Sequence, residues 1–371
     1  MKSKGLLSLF AMIVFTALAN VAVLQGQTSK FVTFDAPGAG DHDLQGTLAT
    51  CINSVGTVTG YYLDSIAVSH GFVRDGSGNI VTFDAPGAGT NTFEGTFPVS
   101  INDKGVVTGY YLDEFLGYGH YRSHGFVRNS DGTIVTFDVA GVGPRGTIPT
   151  SINNGGFVAG RWTDTSNTLH AFLRNSNGTI SVWTAPGAGG GEDQGTFPTV
   201  LAPGPTGTYL GYYIDGNSVS RGFLRDANGS FLTFAVPGAG KGKGQGTIPT
   251  GITAITEAIA GNYLDSNGLS HGFLNTDEGS SGRKITTFSV PGADKGTFPT
   301  AIVQGTLIGY YTRDLTTHGF LRNKGIITSF DVPNGETVNL GTYALSINKS
   351  GTIAGYFVDG YGVRHGFLRK P

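Results

Sequence analysis

One unit of about fifty residues recurs seven times along this 371-residue chain, and no other feature constrains the fold as much. Its clearest mark is an aromatic residue at Phe34, Phe83, Phe137, Trp183, Phe234, Phe288 and Phe330, spaced 49, 54, 46, 51, 54 and 42 residues apart. A Gly-Thr step follows in every copy, at Gly46-Thr47, Gly95-Thr96, Gly146-Thr147, Gly195-Thr196, Gly246-Thr247, Gly296-Thr297 and Gly341-Thr342. Next come a short strand such as Pro149 to Asn153 and a strand with a second aromatic (Tyr62, Tyr111, Trp162, Tyr213, Tyr263, Tyr311, Phe357). A third aromatic completes the copy (Phe72, Phe126, Phe172, Phe223, Phe273, Phe320, Phe367). Between these runs, Gly and Asn supply the positive φ that tight turns require, as in Asn53-Ser54-Val55-Gly56 and Asn177-Gly178. Each copy therefore predicts four antiparallel strands rich in Val, Ile, Thr, Tyr and Phe, with no helical periodicity.

An all-β chain of such copies is either an open stack or a ring. The ends favour the ring: the chain begins with a lone fourth strand, Phe31 to Asp35, and its last copy, with strands near Leu345, Ala354 and Phe367, lacks a fourth. The expectation is a seven-bladed β-propeller of four-stranded antiparallel blades, closed by the N-terminal strand joining the last blade. An open stack would expose both terminal edges and want polar caps, which the sequence does not supply. Adjacent aromatics such as Tyr61-Tyr62 suit blades buried on both faces. Length alone suggests two domains at about 150 residues each; the repeat makes residues 28–371 one domain.

Residues 1–22 predict a signal peptide. Lys2 and Lys4 precede an apolar or small run from Gly5 to Ala19, and Ala17-Leu18-Ala19 and Asn20-Val21-Ala22 offer cleavage sites. The alternative is an uncleaved anchor from Leu6 to Leu24, close to the roughly 20 residues that span a bilayer. The expected location is secreted or periplasmic, as a monomer that touches a membrane only through an uncleaved signal. With 24 Lys+Arg against 26 Asp+Glu and no basic stripe, nucleic acid is excluded as a partner. A single Cys51 excludes an intrachain disulfide and a cysteine zinc site.

The unit Gly-Thr-x-Pro-Thr-Ser-Ile-Asn, then Gly-Tyr-Tyr-Leu-Asp, then His-Gly-Phe or His-Ala-Phe-x-Arg, resembles the bacterial extracellular repeat family named for its His-Ala-Phe triplet. That triplet stands here at His170-Ala171-Phe172. The resemblance spans 31–371 and implies an exported, propeller-like bacterial protein; it brings no activity and no catalytic residues. Most copies depart from it with Gly in place of Ala, and copy four has Arg221 in place of His.

Six of the eight His (His70, His124, His170, His271, His318, His365) open the third strand, each after an Asp that ends the second: Asp64, Asp113, Asp164, Asp265, Asp314 and Asp359. His and carboxylate suit metal binding or acid–base chemistry. Copy four, however, keeps Asp215 and places Arg221 opposite, and a guanidinium only donates and ligates no metal. A position that accepts either residue reads as a hydrogen-bonded pair across a hairpin, and no metal or cofactor is expected. The Arg ring (Arg74, Arg128, Arg174, Arg225, Arg322, Arg369) and the fourth-strand carboxylates (Asp35, Asp84, Asp138, Asp331) could pair at blade edges or line a charged ring. The Pro-Gly-Ala-Gly stretches lack the strand-to-helix context of a phosphate cradle and read as linking turns.

Function in such a ring belongs where the repeat is broken. The first break is a long loop in copy two, Glu114, Phe115, Leu116, Gly117, Tyr118, Gly119, His120, Tyr121 and Arg122, whose aromatics suit a sugar or peptide platform. The second is Asp41-His42-Asp43, too few ligands for a specific cation claim. The third is the contrast between the linker acids Glu192-Asp193 and the basic Lys241 and Lys243 of the next junction. The expected function is a secreted, non-enzymatic binding or scaffold protein for an extracellular carbohydrate or protein. One alternative is a polymer-degrading hydrolase or lyase at the channel mouth, using carboxylates such as Asp41, Glu94, Glu114 or Asp193 held about 5–9.5 Å apart. The other is a purely structural surface protein.

Overall fold

The computed structural model describes residues 30–371 apart from 254–257, 279–281 and 334–339. The signal segment 1–22 lies outside the described residues. Those described are all-β: 28 strands and no helix, hydrogen-bonded into one mixed sheet.

After the short β1 (Phe31–Phe34) the strands come in fours. In unit one β2 (Gly46–Ile52), β3 (Val58–Leu63), β4 (Ser69–Arg74) and β5 (Ile80–Phe83) pair antiparallel in chain order. Unit two repeats this with β6 (Gly95–Ile101), β7 (Val107–Gly117), β8 (His120–Arg128) and β9 (Ile134–Phe137). Units three and four begin with β10 (Thr147–Ile152), β11 (Val158–Thr163), β12 (Leu169–Arg174), β13 (Ile180–Trp183), β14 (Gly195–Leu201) and β15 (Tyr209–Ile214). The last unit has only β26 (Gly341–Ile347), β27 (Ile353–Val358) and β28 (Arg364–Arg369). Its outer strand pairs with β1, from Phe31↔Arg369 to Phe34↔Gly366.

The Gly-Thr step fastens one unit to the next. Gly95 has φ +109° and forms a one-residue parallel bridge to Ser69, where a Cβ would sit 2.1 Å from the Ser69 carbonyl oxygen. Thr96 is fully buried, and its Oγ1 accepts the Ala85 N–H at 2.9 Å, tying β6 to the linker that leaves β5. All seven threonines act alike, down to Thr47, which accepts from Ala36 at 2.9 Å, and Thr342, which accepts from Val332 at 3.2 Å. Two residues after the threonine five copies have proline (Pro98, Pro149, Pro198, Pro249, Pro299) and two have alanine (Ala49, Ala344), and proline is tolerated on an edge strand of the unit. A β-bulge follows that position in each copy, and the freed threonine reaches the neighbouring unit: Thr50 donates to the Pro98 carbonyl at 3.1 Å, Thr250 to Pro299 at 2.9 Å. At the far end of these strands Asn348, Asn53 and Asn102 each donate Nδ2–H to the carbonyl of the next unit's asparagine at 3.0–3.1 Å.

The core lies between units. The third-strand phenylalanines Phe72, Phe126, Phe172, Phe223, Phe273, Phe320 and Phe367 are fully buried. Each meets the fourth-strand aromatic of the preceding unit with ring centroids 5.6–6.5 Å apart and steep interplanar angles. Burying one such ring contributes about 1.5–3 kcal/mol.

The repeated charges divide differently from the expectation that the Arg and Asp rings could pair. Each arginine lies over the aromatic of the preceding fourth strand, Arg74 over Phe34 at 4.8 Å and Arg322 over Phe288 at 4.7 Å, because a guanidinium in this half-buried groove gains from a π face. The fourth-strand carboxylates are taken by histidine instead. His70 Nδ1 lies 2.9 Å from Asp84, His124 2.7 Å from Asp138, and His365 2.9 Å from Asp35 on β1. The second ring nitrogen faces the Asp at the end of the second strand, at 3.5 Å for Asp64, 3.2 Å for Asp113, 3.1 Å for Asp164, 3.3 Å for Asp265 and 3.5 Å for Asp359. Where the fourth strand offers a hydroxyl, His170 uses Thr184 and His271 uses Ser289, both at 2.8 Å. Where it offers Ala235, Arg221 replaces histidine and meets Asp215 at 2.9 Å. Asp314 is the exception: it occupies a tight turn at φ +51°, and His318 pairs with Asp331 at 2.9 Å. The predicted Asp314–His318 pair is therefore not formed, since the shortened loop leaves Asp314 in the turn itself.

Candidate binding site

The copy-two insertion lengthens β7 and β8 into a projecting hairpin. Its register runs Glu114↔Arg122, Phe115↔Tyr121 and Gly117↔His120, with two β-bulges. Tyr118 and Gly119 form the tip with φ of +51° and +78°, the pair of positive values that a two-residue hairpin turn demands. Tyr118 is wholly exposed and Phe115 is 55% exposed. Glu114 and Arg122 pair with each other at 2.5 Å, and the Phe115 and Tyr121 rings stand 5.0 Å apart.

A depression lies on each flank. On the unit-one side Phe115 and Tyr121 wall an open hollow with Ile66, Asn91 and the buried Glu94, whose Oε2 accepts from Asn91. On the other side His120 borders a cleft of about 400 Å³ between units three and four, with Arg145, Arg161, Trp162, Asp193 and Phe197. A shallower hollow under Leu116 and Tyr118 adjoins it, sharing His120 and Arg145 and reaching Glu192.

Arg145 organises this side. It occupies the position before the Gly-Thr step where other copies have Gln45, Gln194 or Gln245, and its side chain is mostly buried. Its Nη1 donates to Asp193 and its Nη2 to Glu192, both at 2.6 Å, which pins the acidic linker against the hairpin side. Arg161 pairs with Ile148 in the register that elsewhere joins Phe97 to Tyr110 and Phe197 to Tyr212. Its guanidinium lies 5.9 Å from the Phe197 ring centre. Burial pushes the neighbouring Tyr110 phenol up to about 12 and raises Tyr212 as well, with Arg161 opposing both shifts.

Of the residues singled out in the sequence, His120 therefore meets Glu192 and Asp193 on one flank, while Phe115 and Tyr121 face the other. Asp41 and His42 form an exposed pair at 2.7 Å in the linker after β1, and neither they nor Asp43 borders these depressions; nor do Lys241 and Lys243. Among the described residues no cluster of three His, Cys, Asp or Glu is placed to hold a metal ion. The four carboxylates considered for catalysis are dispersed: Glu94 lines one hollow, Asp193 the opposite cleft, Glu114 is held by Arg122 and Asp41 by His42. Sequence reasoning missed Arg145 and Arg161. Both are visible once the copies are compared column by column: Arg161 is the one cation in a column of five tyrosines and an asparagine, and Arg145 stands where three copies have glutamine and one has Lys295.

No protein-family model matches the chain, and no curated protein matches it. Among solved structures, AofleA from Arthrobotrys oligospora is 16% identical, with 83% of this chain and 91% of that one covered at a TM-score of 0.49. A chain of a mitotic checkpoint complex is 14% identical, with 97% and 99% covered at a TM-score of 0.48. An Aleuria aurantia lectin mutant in complex with Fucα1-6GlcNAc is 12% identical, with 82% and 100% covered at a TM-score of 0.39. Likenesses this distant carry no argument about this chain, whose reading rests on its own geometry.

Proposed function

We propose that this chain is a secreted seven-bladed β-propeller that binds an extracellular carbohydrate in the cleft beside the β7–β8 hairpin. Closure of the ring is supported by contacts between the two ends of the chain that repeat those inside it: the β1–β28 ladder and His365 with Asp35, as β4 meets β5 and His70 meets Asp84, and Thr47 with Ala36 and Phe34 with Phe72, as at the interior junctions. A cavity lined by first-strand ends from six of the seven units supports an axial channel. Export is supported by the basic-then-apolar start of the chain.

The observation that carries the binding reading is the composition of the cleft. Trp162 and Phe197 give it aromatic surface, and Arg145, Arg161, His120 and Asp193 ring that surface with donors and an acceptor. A pyranose offers the complement, an apolar C–H face edged by hydroxyls, and a volume of about 400 Å³ falls in the ordinary range for small-ligand sites. The four carboxylates named for the hydrolase reading are split between opposite flanks or held by Arg122 and His42, which favours binding. The test is a glycan array with residues 28–371, beside a variant in which Glu114–Arg122 is replaced by a two-residue Asn-Gly turn. We expect a defined set of glycans to bind and the variant to lose them at an unchanged melting temperature. Equal binding by the variant, or no glycan bound at all, refutes the reading.

A further inference from the structure

The repeat supplies six internal controls for the cleft, and they narrow its ligand. In units two, four, six and seven the register position of Ile148 and Arg161 holds a stacked aromatic pair: Phe97–Tyr110 at 5.1 Å, Phe197–Tyr212 at 4.7 Å, Phe298–Tyr310 at 5.2 Å and Tyr343–Tyr356 at 4.6 Å. Units one and five hold Leu48–Tyr61 and Ile248–Asn262. Only unit three places a cation there, and it does so while giving up the ring that would have filled the space. Cleft and charge thus arise from the same two positions.

Among the described residues the Arg161 guanidinium also has no ion-pair partner of its own. Arg145 takes both Glu192 and Asp193, and the six repeat arginines lie on aromatic rings at the unit junctions. The Arg161 guanidinium lies 5.9 Å from the Phe197 ring centre, and its charge acts on the buried phenols of Tyr110 and Tyr212. Asp193 lines the same cleft, but its carboxylate is held by Arg145. A half-buried guanidinium without a counter-ion carries a desolvation cost that an anionic ligand would offset, and its planar fork fits a carboxylate with two parallel hydrogen bonds.

We propose that the cleft selects sugars bearing a carboxylate, uronic acid units of an acidic polysaccharide, with Arg161 taking the carboxylate and Trp162 and Phe197 the ring. This rests on the carbohydrate reading above. The experiment titrates the 28–371 protein with oligogalacturonate, oligoalginate and hyaluronan oligosaccharides, each beside its carboxyl-reduced neutral counterpart, by calorimetry at low and moderate salt. At least one acid should bind about tenfold or more tightly than its reduced form, as one charge-assisted pair supplies, and the preference should shrink with salt. Arg161→Tyr, the residue that the fold accepts at five equivalent positions, should keep the melting temperature and lose the preference; Arg161→Lys should retain part of it. No acid preferred over its reduced form, or a preference that survives Arg161→Tyr, overturns the proposal. If neutral glycans bind in the cleft without acid preference, the carbohydrate reading stands and this inference alone fails.

Discussion

Thr47 offers a test of whether the two ends of the chain join as the other junctions do. Its Oγ1 accepts the Ala36 N–H at 2.9 Å with both residues buried, and Thr196 accepts the Ala185 N–H at 2.9 Å in an interior junction. Thr→Val keeps the shape and removes the acceptor, leaving a buried N–H unsatisfied at a cost of about 1–3 kcal/mol. With an unfolding entropy near 2.1 cal/mol/K per residue, roughly 340 ordered residues convert that cost into a melting shift of about 1.5–4 °C. Scanning calorimetry at one fixed heating rate should show Thr47→Val and Thr196→Val lowered by the same amount, and the double variant by their sum, since the sites share no partner. A shift at Thr196 with none at Thr47 would mean that the terminal junction is open in solution, and the ring argument fails with it.

Two further expectations concern pH and backbone. His70 and His365 hold their protons above the ordinary histidine value, chiefly through hydrogen bonds to Asp84 and Asp35. Their contribution is complete below the unfolded value of about 6.5 and is lost as pH rises through the raised values. Melting temperature should therefore fall from pH 6 to 8.5, and His70→Gln with His365→Gln should flatten that fall; an unchanged slope would refute the assignment. Asp265, held down chiefly by the Leu269 N–H, acts in the opposite sense, contributing above the ordinary carboxylate range and losing that contribution as pH falls through its depressed value. Gly95→Ala, with φ +109° and a carbonyl oxygen 2.1 Å from the new Cβ, should cost clearly more than the backbone strain of about 1–3 kcal/mol that Gly56→Ala incurs. Gly56 has a similarly positive φ of +88° and open space around it, so urea midpoints separate clash from strain, and equal shifts would remove the close-approach argument.

Much of the architecture could be read in advance because each unit needs the same few residues for the same local reasons. Gly95 must be glycine where it touches Ser69, Thr96 must accept the Ala85 N–H, and Phe126 must fill the space beside Phe83, so these recur in register. The pairing of His70 with Asp84 was harder to see. The partners stand 14 residues apart on different strands, and Thr184 or Ser289 can replace the acid, which hides the pattern from a search for carboxylates. The cleft was hidden for the converse reason. Arg161 is the one cation in a column of five tyrosines and Asn262, and its effect depends on Ile148 standing where four units have an aromatic one strand away. The hairpin was visible as an insertion, but its two bulges, which set apart the flank of Phe115 from that of His120, leave no mark in the composition.

The ladder between β1 and β28 also bears on how the molecule comes into being. His365 and Asp35 stand 330 positions apart, so β1 must wait for β28 before its amides are satisfied. Contacts so remote in sequence form late, because the entropy of closing the intervening loop must be met before they stabilise anything. Until then both lips of the nascent molecule present unpaired strand edges, ready to zip onto a neighbour. A chain whose β1 is paired only when β28 arrives is most exposed to aggregation in that interval, and the last hydrogen bonds of that ladder act as the clasp that ends it.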